Sequence, residues 1–300
     1  MGLFSIFKKK QEPASSKPAG IDKDSAGDLL RAIEKKAIAF SPKETGGPIV
    51  IGVSKIGGKP HLPEGFRWPY FEGTNYDNVR ARRPLSFMAQ INLADVADLD
   101  ADSELPHSGF LYFFYELDTM RWGFDPEDEG CARVFYYDVT ADALSIIDYP
   151  DDLNPGYYVP ESAIAFNRAR SIPSFEEFGN SVSVDCDDYM QAAEENGIDT
   201  ERSPESIFKL LGYADLIQGS ILWECAMSES SLSSDAWKTL SEDKKSEVYA
   251  KESKWTLLSQ FGTISDSIMF GDCGCIYYYI RKEDLEKRCF DNIHLSLQCY

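Results

Sequence analysis

The chain is short of positive charge, of histidine and of long apolar runs, and each shortage removes a class of function. Lysine and arginine number 30 against 50 aspartate and glutamate, a net charge of −20 over 300 residues. A chain of that sign repels phosphate, which excludes general binding to nucleic acid or to an anionic membrane. No stretch of about eighteen apolar residues occurs, so stable membrane insertion as a helix is excluded. The cysteines are seven, odd in number and irregular in spacing, which argues against a secreted disulfide framework and for reduced thiols in the cytoplasm. Imidazole chemistry is confined to His61, His107 and His294.

The familiar catalytic and cofactor signatures also fail. Gly52 to Lys59 nearly spells a phosphate-cradling loop, but Pro60 stands where a serine or threonine should open a helix. Neither a dinucleotide-type glycine fingerprint nor a Gly-x-Ser-x-Gly elbow is present. Asp98-Leu-Asp100-Ala-Asp102 and Asp125-Pro-Glu127-Asp-Glu129-Gly130 begin like calcium loops, yet their twelfth positions, Gly109 and Tyr136, supply no carboxylate. Cys273, Cys275, His294 and Cys299 are ill spaced for zinc. No catalytic residue, metal or cofactor is assigned.

What the chain does have is core: 43% hydrophobic and 13% aromatic residues, enough for a globular protein despite the charge. Residues 1–24 read as a flexible leader whose tip, Leu3, Phe4, Ile6 and Phe7 before Lys8–Lys10, allows at most a weak membrane contact. Residues 25–300 read as one domain. Ser25 and Asp28 resemble a capping box, and the spacing predicts a helix over 26–40. Aromatic and apolar runs bounded by turn residues predict strands at 84–93, 109–115, 132–139, 255–261, 274–280 and 294–300. Helical patches are expected at 187–196, 204–211 and 234–253.

Two stretches rhyme. Ser86-Phe-Met-Ala-Gln90-Ile resembles Thr256-Leu-Leu-Ser-Gln260-Phe, and Gly109-Phe-Leu-Tyr-Phe-Phe-Tyr115 resembles Gly274-Cys-Ile-Tyr-Tyr-Tyr-Ile280, in the same order. Either an internal duplication, with halves at 45–150 and 204–300 sharing one core, or the common chemistry of strands accounts for this. The fold class is therefore α+β, with mixed or antiparallel sheets and flanking helices.

Four blocks carry a family resemblance: Gly57-Gly58-Lys-Pro60-His-Leu62-Pro63-Glu-Gly65-Phe-Arg-Trp68-Pro69, Leu85 to Leu93, Leu210 to Gln218, and Phe270-Gly271-Asp272-Cys-Gly274-Cys-Ile-Tyr277. In order and spacing they resemble the YwqG-like family of bacterial proteins over roughly residues 45–300. The resemblance implies an α+β fold and carries no established activity. Two positions depart from the family pattern. Ala214 stands where proline is common, and Phe261-Gly262-Thr263 replaces an acidic block.

The acidity is concentrated. Asp95 to Asp152 holds sixteen carboxylates against two arginines, net −14, and Glu176 to Glu205 nets −9, while residues 1–50 net +3. Such a layout is either a solvated face or a docking face for a basic protein. With no catalytic motif, the expected role is non-enzymatic: binding or regulating a basic partner, in the manner of an inhibitor or immunity protein. The alternative is a small-ligand or enzyme cleft between the halves, built from His61, Trp68, Gln90, Gln260 and Asp272. Asp272 between two glycines also suits a plain Asx turn.

Overall fold

The computed structural model describes residues 20–43, 47–76, 78–200, 202–265 and 268–300. Residues 1–19 of the leader, with their apolar tip, lie outside the described residues. Helix α1 (Lys23–Ile33) runs straight into strand β1 (Lys35–Lys43). Short strands β2 (Lys55–Ile56) and β3 (His61–Pro63) precede a hairpin of β4 (Tyr70–Thr74) and β5 (Arg80–Pro84), then β6 (Ser86–Asn92), β7 (Phe110–Tyr115), β8 (Ala132–Tyr137), β9 (Leu144–Ile146) and β10 (Ser162–Ser171). Helices α2 (Phe175–Ser181) and α3 (Cys186–Glu195) lead to β11 (Phe208–Leu210). Helices α4 (Ile221–Glu229), α5 (Ser234–Lys238) and α6 (Glu242–Glu252) precede β12 (Trp255–Phe261) and β13 (Cys275–Arg281); α7 (Lys282–Glu286) and β14 (Ile293–Gln298) end the chain.

The architecture is α+β and mostly sheet. Ten strands form one sheet in the order β14-β13-β12-β11-β1-β10-β2-β6-β7-β8, antiparallel throughout. The outer strands β14 and β8 approach one another, so the sheet curls into a nearly closed barrel. Strands β3 and β9, and β4 and β5, make separate two-stranded sheets. Among the described residues no helix is long and apolar enough to cross a membrane.

The barrel's interior is filled by rings. Phe113 meets Phe261 at 5.3 Å and Tyr278 at 5.1 Å between centroids, and Phe40 meets Phe261 at 5.5 Å. These contacts are edge-on, the arrangement that ring quadrupoles favour. They join strands from both ends of the chain into a single core. Outside, α4 covers β12 to β14 with Ile221 and Cys225 on Tyr277 and Tyr279, and α1 packs on α3 through Ala26, Leu30, Ala192 and Ala193.

Several local expectations are corrected. The helix over 26–40 stops at Ile33, because Lys35 to Lys43 pairs residue for residue with Ser171 to Ala163 on β10, and Ile38 and Phe40 join the barrel core. Nine ladder pairs outweigh the helical spacing that Ala37 continued. Asp22, not Ser25, caps α1, its carboxylate accepting the Ser25 amide at 3.0 Å. Residues 204–211 form a short 3₁₀ turn and then β11, while 234–253 splits into α5 and α6. Strand β10 was not expected, since its Ala, Asn and Arg have low strand preference. Yet β1 and β10 form the middle of the sheet, and both fall outside the halves 45–150 and 204–300.

Candidate functional site

Gln90 and His61 meet. Strand β6 carries Gln90, which is fully buried, and its Oε1 accepts the His61 amide at 2.8 Å while its Nε2 donates to the Val53 carbonyl at 2.9 Å. The His61 ring is buried too, with Nδ1 3.2 Å from the donating Gly52 amide and 3.0 Å from Gln90 Nε2. An Nδ1 that accepts leaves the proton on Nε2. Burial, with the Lys55 charge nearby, pushes the His61 pKa down to about 4, so the ring is neutral at physiological pH. Lys55, paired with Gln90 across β2 and β6, donates to the Lys59 carbonyl and to Glu161, each at 2.5 Å.

Gln260 sits in a second arrangement of the same kind. Its Oε1 accepts the Asp215 amide at 3.0 Å and its Nε2 donates to the Pro204 carbonyl at 3.3 Å. Opposite it on β11 is Lys209, ion-paired with Asp215. Both glutamine strands carry a bulge two residues earlier, at Met88 and Leu258. The carbonyl freed there accepts an amide two residues beyond the lysine, from Gly57 at 2.9 Å and from Leu211 at 3.1 Å. Gly57 and Leu211 are both left-handed, at φ +56° and +62°. Each glutamine thus clamps a neighbouring loop to the barrel with both ends of its amide.

The five residues named from sequence do not share one concave site. His61 and Gln90 pair, and Gln260 lies across the β1–β10 strands from them. Trp68 donates from Nε1 to the Leu85 carbonyl at 2.8 Å and packs edge-on to Phe114 and Tyr149, a core contact. Asp272 is exposed at a tight turn between left-handed Gly271 and Cys273, its carbonyl accepting the Tyr300 amide at 3.1 Å. The hollow between the 102–106 loop and α7 has a volume of about 440 Å³, and none of the five lines it.

A different place stands out. The 116–130 loop and residues 74–76 at the end of β4 border an open groove of about 300 Å³ lined by Tyr76, Trp122, Phe124, Asp125 and Glu127 among others. The loop is held firmly. Asp128, buried beneath it, accepts from the Gly123 amide at 3.0 Å and from Arg121 at 3.4 Å, and burial raises its pKa. Asp125 accepts the Glu127 amide at 2.9 Å, the Trp122 carbonyl accepts the Leu297 amide of β14 at 2.9 Å, and Tyr76 Oη donates to the Thr119 carbonyl at 2.7 Å. Gly123 is required there: at φ +89°, a Cβ would come 1.9 Å from the Leu295 carbonyl oxygen. On this anchored loop the rings stay open to solvent, Trp122 at 40%, Phe124 at 48% and Tyr76 at 79% exposure. The sequence held the signal as a Trp and a Phe inside an acidic turn, Trp122-Gly-Phe124-Asp125-Pro-Glu127, which reads as a turn and a failed calcium loop.

In the first calcium-like stretch the middle carboxylate is turned inward. Asp100 accepts from the Glu104 and Leu105 amides at 3.2 and 2.7 Å. Among the described residues no group of three or more His, Cys, Asp or Glu is arranged to hold a metal ion.

Residues 54–299 match the model of a family described as a domain of unknown function, DUF1963. The chain belongs to this family. The DUF1963 match begins at Ser54, beside Lys55, and runs past β14, so it includes both clamping glutamines and the aromatic groove. No curated protein matches the chain.

Proposed function

We propose that the chain is a non-enzymatic binding protein of the cytoplasm that docks a basic protein on its acidic face, as an inhibitor or immunity-type partner does. The observation that carries this reading is the anchored 116–130 loop, which holds Trp122 and Phe124 in solvent beside the exposed carboxylates of Asp125 and Glu127. Protein interfaces concentrate their energy in exposed aromatic anchors that are already rigid, because little side-chain freedom is lost on binding. Carboxylates around such anchors speed the encounter with a positive partner and select against a negative one. The cleft reading draws no support from its five residues, which serve as clamps, core and turn. The matched lysine, bulge and glutamine positions favour an internal duplication, and the four sequence blocks favour the YwqG-like branch of related proteins.

Selection from a random peptide display library against the full chain tests the proposal. The expected result is enrichment of lysine and arginine in the retained peptides, with retention lost in 0.5 M salt and against the double variant Asp125→Asn, Glu127→Gln. Retained peptides without basic enrichment, or indifferent to the double variant, would overturn it.

A further inference from the structure

The groove brings together two features that folding does not require to coincide. Three aromatic side chains from two separate segments, Tyr76 at the end of β4 and Trp122 and Phe124 on the loop, line one hollow and remain accessible. Around them stand Asp125 and Glu127, both exposed, with Asp128 beneath. The one positive group among the described lining residues, Arg121, is occupied: it pairs with Asp128, donates to the Thr74 carbonyl and lies 5.7 Å over the Phe71 ring. Among the described lining residues, with Arg121 offsetting Asp128, the charge left facing the hollow is that of the two exposed carboxylates.

Electron-rich ring faces attract a cation within about 6 Å, and the attraction suits an organic cation that sheds its water readily. A metal ion is poorly served here, since the described carboxylates form no ligand group. A guanidinium is less well served than an ammonium at Asp125. Its planar fork wants both oxygens of a carboxylate, and one oxygen of Asp125 already accepts the Glu127 amide. A point charge on a flexible apolar stem fits better: the stem lies along the rings and the charged end reaches the carboxylate rim.

We propose that this groove takes the ammonium end of a lysine side chain presented by a basic segment of the partner. The proposal rests on the docking reading and adds to it the residue type and the pocket. The volume of about 300 Å³ and the two exposed carboxylates fit one such side chain held by Tyr76, Trp122 and Phe124, with neighbouring basic residues of the segment facing the acidic surroundings.

Isothermal titration of the full chain with a twelve-residue lysine–alanine peptide, and with versions carrying arginine, acetyl-lysine or trimethyl-lysine, tests it. Lysine and trimethyl-lysine peptides are expected to bind, the arginine peptide several-fold more weakly, and the acetylated peptide not measurably, because acetylation removes the charge. Phe124→Ala and Phe124→Leu are each expected to weaken the lysine peptide by roughly three- to tenfold, with unchanged thermal melting as the control for folding. Leucine keeps the apolar bulk and loses the ring face, so full binding by Phe124→Leu would overturn the cage. Equal binding of arginine and lysine peptides would overturn it as well. If the lysine peptide depends on Asp125 and Glu127 while both Phe124 variants bind normally, the cage falls and the docking reading stands. If no basic peptide binds, both fall.

Discussion

Two groups, buried His61 and half-buried Glu177, titrate in opposite senses, and their environments give the sign of each effect. His61 accepts two hydrogen bonds at Nδ1 and is held near pKa 4 by burial first and the Lys55 charge second. The unfolded chain binds a proton on this ring near pH 6.5, and the native state resists until about pH 4. The stability is therefore complete above pH 6.5 and lost as pH falls toward 4, by up to about 3 kcal/mol. Urea unfolding of wild type and His61→Gln should show the wild-type advantage at pH 7 shrinking by most of that amount at pH 4.5. Glu177 behaves in reverse. On α2 it faces Ser220 at the start of α4, Glu252 on α6, Lys35 on β1 and its neighbour Glu176, and burial lifts its pKa to about 7. The native state keeps this proton from pH 4.5 up to about 7, so stability is lost as pH rises through that window. Glu177→Gln should raise stability at pH 8 by roughly 1–3 kcal/mol and leave it unchanged at pH 4.5. Neither sign was legible in the sequence, where His61 looked like the lip of a pocket; its burial depends on Gln90, twenty-nine residues away.

Strand elements were legible where aromatic runs marked them and illegible where pairing alone made them. Phe110 to Tyr115 and Cys275 to Arg281 are strands because their rings fill both faces of a barrel wall. Strands β1 and β10, the centre of the sheet, contain Lys, Pro, Asn and Arg and declare themselves only through each other. The two glutamines were legible as corresponding positions, but their task was not. A bulge frees a carbonyl two residues before each glutamine, and the amide then ties a loop to the barrel. Gln90→Ala would leave the His61 amide and Val53 carbonyl without this partner, and Gln260→Ala would do the same to Asp215 and Pro204. Each buried group so orphaned costs about 1–3 kcal/mol, so each variant, orphaning two, should lose roughly 2–6 kcal/mol in urea unfolding. If one clamp were a ligand site rather than a structural tie, its variant would unfold like wild type.

At the scale of the whole molecule, the charge of −20 acts on folding and on docking with opposite signs. Like charges repel across the folded surface, and salt screens them over a Debye length that shrinks from roughly 20 Å at 20 mM to about 6 Å at 300 mM. Screening relieves the native state more than the expanded chain, so the melting temperature should rise with sodium chloride over that range. The same screening removes the steering of a basic partner, so the association rate of a basic peptide should fall. These trends separate local from global charge. Asp125→Asn with Glu127→Gln removes two of 50 acidic residues, too few to change the self-repulsion much. The double variant should therefore keep the wild-type rise in melting temperature while its association rate loses much of its salt dependence. Stopped-flow association and thermal melting across 20–300 mM salt measure both. A rate with wild-type salt dependence in the double variant would mean that the diffuse −20 field steers the partner, not the carboxylates beside Trp122 and Phe124.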